Sequence, residues 1–195
     1  MSTVDVTNGV GKRAAVDAAA IDKLKSALRG QLLRPGDSGY DDARTIWNAM
    51  IDRKPALIAM CTNTADVKLA VDFAREHELL TAIHGGGHNI AGNAVCDGGF
   101  MINLSLINAV KVDPKAQTAS AGPGATLGDF DAATLKHGLA TPVGINSTTG
   151  IAGLTLGGGF GWLSRKYGLT VDNVTGVEIV TADGQVIEAN ESSHP

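Results

Sequence analysis

The chain has 195 residues, room for one ordinary domain or two small lobes with a sizeable core. Hydrophobic residues make up 44% and charged residues 18%, which excludes wholesale disorder. A formal net charge of −4 argues against a nucleic-acid partner, whose binding needs a basic face. No apolar run reaches the ~18 residues of a membrane span, and the first twenty residues carry no continuous apolar core of a secretory signal, so no membrane partner is expected. Two cysteines, Cys61 and Cys96, are too few for a disulfide scaffold and fit a reducing, cytoplasmic setting.

In chain order, residues 1–14 are small and polar and read as a frayed leader. Ala20, Ile21, Leu24 and Leu28 recur at helical spacing over Asp17–Leu28, with Gly30 as a stop. Arg34–Asp42 (RPGDSGYDD) reads as a loop, with a linker candidate near Asp37–Asp41, and Arg44–Met50 as a short helix carrying Trp47. Leu57–Cys61 is a buried strand, Asn63 or Thr64 caps a helix over Ala65–Glu78, and Leu80–Ile83 is a second strand, completing a βαβ unit. Phe100–Leu104, Ala109–Val112 and Gln117–Ala121 read as strands. Gly124–His137 reads as a helix burying Leu127, Phe130, Ala133 and Leu135. Val174–Thr181 alternates as a strand, and Asp183-Gly184 turns it into Gln185–Glu188.

Glycine is the departure from average: there are 25, and most lie between Gly85 and Gly161. HGGGHN (His84–Asn89) and LGGGFG (Leu156–Gly161) let consecutive backbone N–H groups converge on one concavity, a nest that binds phosphate without a positive charge. A tight turn or a close strand crossing is the plain structural reading of either loop. Two such loops, with Gly144, Gly150 and Gly153 between them, favour a large nucleotide-type ligand. No GxxxxGK[ST] occurs, and GPGATLG (Gly122–Gly128) misses the dinucleotide fingerprint by one residue and holds a proline.

His84 and His88 are four apart, but three glycines between them argue against the helix that would pair them on a metal, and no metal is expected. Each histidine is a hydrogen-bonded loop residue, or a nucleophile or proton carrier. Cys96 lacks a positive neighbour in sequence and reads as a small buried residue rather than a thiol nucleophile. Trp162 and Tyr167 read as packing groups. Asp172-Asn173 bonds either a loop backbone or a ligand's ribose.

Five segments stand in one order: RPGDSGYDDARTIWN, IHGGGHNIAGNAVCDGGFMINLS, GPGATLGDF, GINSTTGIAGLTLGGGFGWLSRKYGLTVDNV and EIVTADGQVIEA. In order and spacing the chain resembles the FAD-linked oxidases with a p-cresol-methylhydroxylase-type (PCMH-type) FAD-binding domain, in their berberine-bridge-enzyme-like group. The resemblance runs from Arg34 to the end. It implies an α+β, two-lobed domain: a small, mostly parallel sheet with helices, and a larger, mostly antiparallel sheet, with FAD between them. Residues 1–33 would be a leader and helix, and 34–195 the FAD-binding domain, truncated at its C-terminal end. The implied function is hydride transfer from a small organic substrate to flavin, the chain being the front portion of an oxidase and inactive in isolation. A non-catalytic or merely folded fragment is the alternative.

The resemblance assigns FAD binding to His84, Gly85, Gly86, Gly87, His88, Asn89, Gly92, Ala125, Thr126, Thr149, Gly150, Gly153, Leu154, Gly158, Gly159, Asn173 and Ile179. It implies a covalent bond from His88 to the methyl group at the flavin's 8 position, and no catalytic residue is assigned. Two positions depart from the pattern. His84 stands where many relatives have arginine, so an arginine there is expected to strengthen the hold on the diphosphate. Asn146 stands where some relatives carry a second, cysteinyl flavin link, so one covalent bond at most is implied. The flavin-facing surface left exposed would favour self-association.

Overall fold

A computed structural model describes residues 3–195 and is an α+β structure. The first lobe is built on a four-stranded sheet. Its strands are β3 (Gln31–Leu33), β4 (Leu57–Met60), β5 (Thr81–His84) and β6 (Phe100–Asn103), in the order β3-β4-β6-β5. β6 pairs parallel with both β4 and β5, and β3 closes one edge antiparallel. The βαβ unit is present, with β6 inserted between its two strands.

The strands bury both faces because their side chains alternate. Leu57, Ala59, Cys61, Phe100 and Ile102 face a core shared with α1 (Ala18–Ala27) and α3 (Thr64–Glu76). Ile58 and Met101 face the other way, onto Leu33, Tyr40, Ile46 and Val95. Asp17 caps α1 through the Ala19 amide, and Asn63 caps α3 through the Asp66 amide. Asp66 then ties α3 to the chain entering β3: its carboxylate accepts from the amides of Arg29 (2.8 Å), Gly30 (3.2 Å) and Thr62 (2.9 Å). Burial alone would raise this carboxyl, but these bonds outweigh it and hold the group below its ordinary value.

Three expectations change. The frayed leader is instead a hairpin of β1 (Thr3–Thr7) and β2 (Arg13–Asp17), whose Val6 and Val16 enter the α1/α3 core. Only Met1 and Ser2 lie outside the described residues. Second, Asp37–Asp41 is not a linker, because Tyr40 opens α2 (Tyr40–Arg44), is buried, and donates its hydroxyl to the Pro55 carbonyl at 2.6 Å. Third, the helix expected over Arg44–Met50 does not form: α2 ends at Arg44 and none of residues 45–50 is helical. Thr45 is extended, Ile46 drops into the core, and the Trp47 amide donates to the Gly87 carbonyl (3.1 Å) rather than within a helix.

The second lobe pairs β7 (Val110–Asp113) with β8 (Thr118–Ala121) and packs α4 (Leu127–Leu135) on them. Ala125, Leu127, Phe130, Val143 and Ile151 form its core. Within α4 it is Thr134 that is buried, not Leu135, which is 65% exposed. The Thr134 hydroxyl donates to the Phe130 carbonyl of the preceding turn, so it enters the core already satisfied. The glycine-rich stretch contains two short helices, α5 (Ile151–Leu156) and α6 (Ser164–Tyr167), before a single 3-10 turn and the hairpin β9 (Gly176–Val180)–β10 (Val186–Asn190). The antiparallel part is thus two separate hairpins, and the outer edges of β8 and β9 have no strand partner among the described residues. No helix among the described residues is long and apolar enough to cross a membrane.

Candidate functional site

The site begins where β5 ends. The connection from β5 to β6 leaves the carboxyl end of a parallel sheet, where such folds bind ligands, and carries Gly85–Asn89. The amides of Gly85, Gly86, Gly87, His88 and Asn89 donate to none of the described residues. Five successive donors without protein acceptors are a nest with its capacity unspent.

The second lobe closes on this loop. A Cβ on Gly85 would lie 2.8 Å from the Pro123 carbonyl oxygen, and one on Gly86 would overlap the Gly150 amide. Conversely, a Cβ on Gly150 would lie 2.6 Å from the Gly86 nitrogen. The two backbones touch, which only glycine permits on both sides. Gly150 is also the N-cap of α5 and bridges to Thr126. Thr126 itself is spent on the α4 capping box with Asp129.

His88 stands between the lobes, half-buried. Its Nε2 lies 3.0 Å from Thr148 Oγ1 and its Nδ1 3.4 Å from Thr149 Oγ1. The Thr148 hydroxyl donates to Asn146 Oδ1 (2.9 Å), so its oxygen is left to accept. This assigns the proton of His88 to Nε2 and the lone pair to Nδ1. Desolvation holds the His88 pKa below its ordinary value and so favours the neutral ring, partly opposed by hydrogen bonding to the Thr148 backbone. The Trp47 ring stacks on the imidazole at 5.3 Å between centroids and 24° between planes.

The other expected site residues divide into three groups. Gly85, Gly86, Gly87, His88, Thr149 and Gly150 converge as described. Asn89, Gly92, Ala125, Leu154, Gly158, Gly159 and Asn173 are engaged in the loops themselves. Asn89 accepts from the Gly92 and Asn93 amides, Ala125 from the Ile151 amide, and Leu154 packs where a Cβ on Gly144 would stand. Gly158 and Gly159 have positive φ and accept from the amides of Val171 and Thr170. Asn173 donates to the carbonyls of Tyr167 (3.0 Å) and Leu169 (2.8 Å), so of its two readings the loop backbone is observed. Gly153 borders open space, and Ile179 lies on β9 opposite Ile187; neither touches the His88 loop in the described contacts.

His84 departs from the expectation of a phosphate-facing side chain. Its ring is 8% exposed and lies under Gly87, with Nδ1 buried and unpartnered. Burial pushes its pKa down, with the Ala94 backbone opposing only in part. An arginine would have to bury a guanidinium here, so the expected gain on the diphosphate is not supported by the geometry.

Trp162, read as a packing group, is 87% exposed, and Tyr167 is about half exposed. Cys96 is buried and its thiol is pushed up to about 11, as expected of a structural cysteine. Among the described residues no three His, Cys, Asp or Glu side chains converge on a metal site. The residues missed from sequence are Trp47 and Thr148. The only signals for them were the TIW before the loop and the paired threonines before GIAG.

The His84 geometry fixes a pH dependence. A histidine whose folded pKa is depressed binds fewer protons folded than unfolded, so stability is lost as pH falls through the ordinary value of about 6.5. The melting temperature of the chain is expected to fall between pH 7.5 and 5. In His84→Leu, which removes the titrating group and the unpartnered nitrogen, that fall should be shallower. His88 leaves a residual slope of the same sign. Equal slopes in the two proteins contradict the buried, neutral assignment.

A family model described as FAD binding domain matches residues 55–190. (R)-6-hydroxynicotine oxidase of Paenarthrobacter nicotinovorans is 37% identical over 169 residues, which are 87% of this chain and 37% of that protein. The crystal structure of 6-hydroxy-D-nicotine oxidase from Arthrobacter nicotinovorans superposes with a TM-score of 0.84 at 38% identity, covering 86% of this chain and 37% of that one. BBE-like 1 of Physcomitrella patens superposes at 0.82 with 31% identity, covering 89% and 38%. The chain therefore spans well under half the length of the relatives it matches. Five successive amides without protein acceptors are donors of the kind an anionic cofactor such as FAD can use, and with the match over 55–190 the chain belongs to the FAD binding domain family.

Proposed function

We propose that the chain is the FAD-holding portion of an oxidoreductase that takes hydride from a small organic substrate, with FAD anchored covalently at His88. When bound, FAD supplies the electron-accepting ring. The residues of the chain supply the hold and the orientation. The amides of Gly85–Asn89 take the diphosphate by dipole rather than by charge, since no cation stands in the loop and both of its histidines are neutral. Thr149 and Gly150 meet the loop from the second lobe, and Gly153 offers open surface on α5. Ala125, Thr126, Leu154, Gly158, Gly159 and Asn173 keep the surrounding backbones in place, and Ile179 contributes apolar surface further out. The single observation that carries the covalent reading is the His88 tautomer: Nε2–H donates to Thr148 Oγ1, which leaves the Nδ1 lone pair, touched only weakly by Thr149 Oγ1 at 3.4 Å, as the group that would bond the flavin's 8-methyl carbon, with one methyl C–H broken, its proton lost to solvent and its two electrons passed through the flavin to dioxygen.

The second lobe exposes Leu156 (84%), Phe160 (74%) and Trp162 (87%) beside one another in sequence. Exposed apolar side chains of this size favour self-association of the chain, and the mass seen in sedimentation should rise with concentration. The free, buried Cys61 and Cys96 support a reducing, cytoplasmic setting.

The anchor is tested by acid precipitation of chain expressed with FAD. The wild-type pellet should keep flavin fluorescence, and the His88→Ala pellet should lose it. Flavin retained in the variant pellet refutes the anchor. Flavin bound by the native wild type but absent from its pellet refutes the covalent bond and leaves FAD binding standing.

A further inference from the structure

We infer that Trp47 is a positioning residue for His88, holding the plane of the imidazole and thereby the Thr148 bond that sets its tautomer; as a role in flavin attachment, this rests on the anchor reading above. Packing does not account for this side chain. It is 59% exposed, and His88 is its stacking partner among the described rings. Yet its backbone is held at three successive points. Ile46 is buried, with its Cα 3.5 Å from where a Cβ on Gly87 would stand. The Trp47 amide donates to the Gly87 carbonyl at 3.1 Å. Asn48 Nδ2 donates to the Ile90 carbonyl at 3.0 Å. Residues 46–48 thus clasp residues 87–90, and the indole is set on His88 by the clasp instead of by a core.

The opposite side of the contact explains why such a stack is needed. Thr148 and Thr149 come from the other lobe, and one threonine reaches each ring nitrogen. These bonds hold the imidazole edge through hydroxyls that themselves turn, so some rotation about the His88 Cβ–Cγ bond remains. A flat surface against one ring face removes that freedom. A stacked aromatic pair adds stabilisation beyond its buried area, and orientation of a reacting atom is sensitive to small displacements. Ile46 and Asn48 would hold the clasp without the indole, so substitution of Trp47 separates ring positioning from loop folding.

The test uses the full chain as wild type, Trp47→Leu and Trp47→Phe, with 15N-labelled histidine. In the FAD-free wild type the His88 ring protons should lie upfield of a free histidine, and the ring nitrogens should report a single Nε2–H tautomer. Trp47→Leu should lose the upfield shift and mix the tautomers at unchanged circular dichroism, and Trp47→Phe should restore both. On adding FAD, acid-stable flavin should form about tenfold more slowly in Trp47→Leu and near the wild-type rate in Trp47→Phe. A Trp47→Leu chain that keeps the wild-type tautomer and ring shifts overturns the inference. Flavin attachment at the wild-type rate in that variant overturns it equally. If the wild type forms no acid-stable flavin, the anchor reading falls, and the imidazole resonances of the FAD-free chains still decide the role of Trp47.

Discussion

The backbone contact between Gly86 and Gly150 holds the two lobes to one site. Neither position has room for a single methyl group, because each would drive it into the other's backbone. The contact brings the carboxyl end of β5 against the start of α5. Everything that defines the site follows from this approach. Thr148 and Thr149 reach His88 because Gly150 is already against the loop, whose amides from Gly85 to Asn89 donate to none of the described residues. A slightly wider separation would leave His88 held from the Trp47 side alone.

The electrostatics follow the same economy. The loop gathers donors and excludes charge. His84 is buried beneath it with an unpartnered nitrogen and a depressed pKa. His88 is neutral and committed to two hydroxyls. In the proposed reading an anion here would meet N–H dipoles whose hydrogen-bonding capacity is unspent among the described residues, so a chain of net charge −4 needs no cation in the loop to hold a phosphate. The carboxylates do structural work elsewhere: Asp66 joins α3 to β3, and Asp129 closes the cap of α4.

Much of this was legible in the sequence. The capping signal at Asn63 and the apolar runs around Leu57–Cys61, Leu80–Ile83 and Phe100–Leu104 place β4, α3, β5 and β6 within a residue or two, and α4 within three. The order of the glycine motifs identified the family. Other features were hidden for physical reasons. The N-terminal strands are short and rich in small and polar residues, and only Val6 and Val16 enter the core, so local pattern favoured a leader over a hairpin. Residues 44–50 have helical composition, but the Gly87 carbonyl takes the Trp47 amide, a tertiary contact no local propensity encodes. His84 sits in a motif that suggests a ligand contact, yet strand alternation sends its side chain inward. The indole of Trp47 meets His88 from forty-one positions away, and no spacing rule announces that pairing.

The most direct test of this account is the affinity of Gly86→Ala for FAD, measured by calorimetric titration beside the wild type. One methyl group separates the two proteins. Because it must push Gly150 away, binding is expected to weaken by at least about tenfold, or roughly 1.4 kcal/mol, with the circular dichroism of the chain preserved. Wild-type affinity in Gly86→Ala would mean that the lobes need not touch to hold the cofactor, and would contradict the account at its centre.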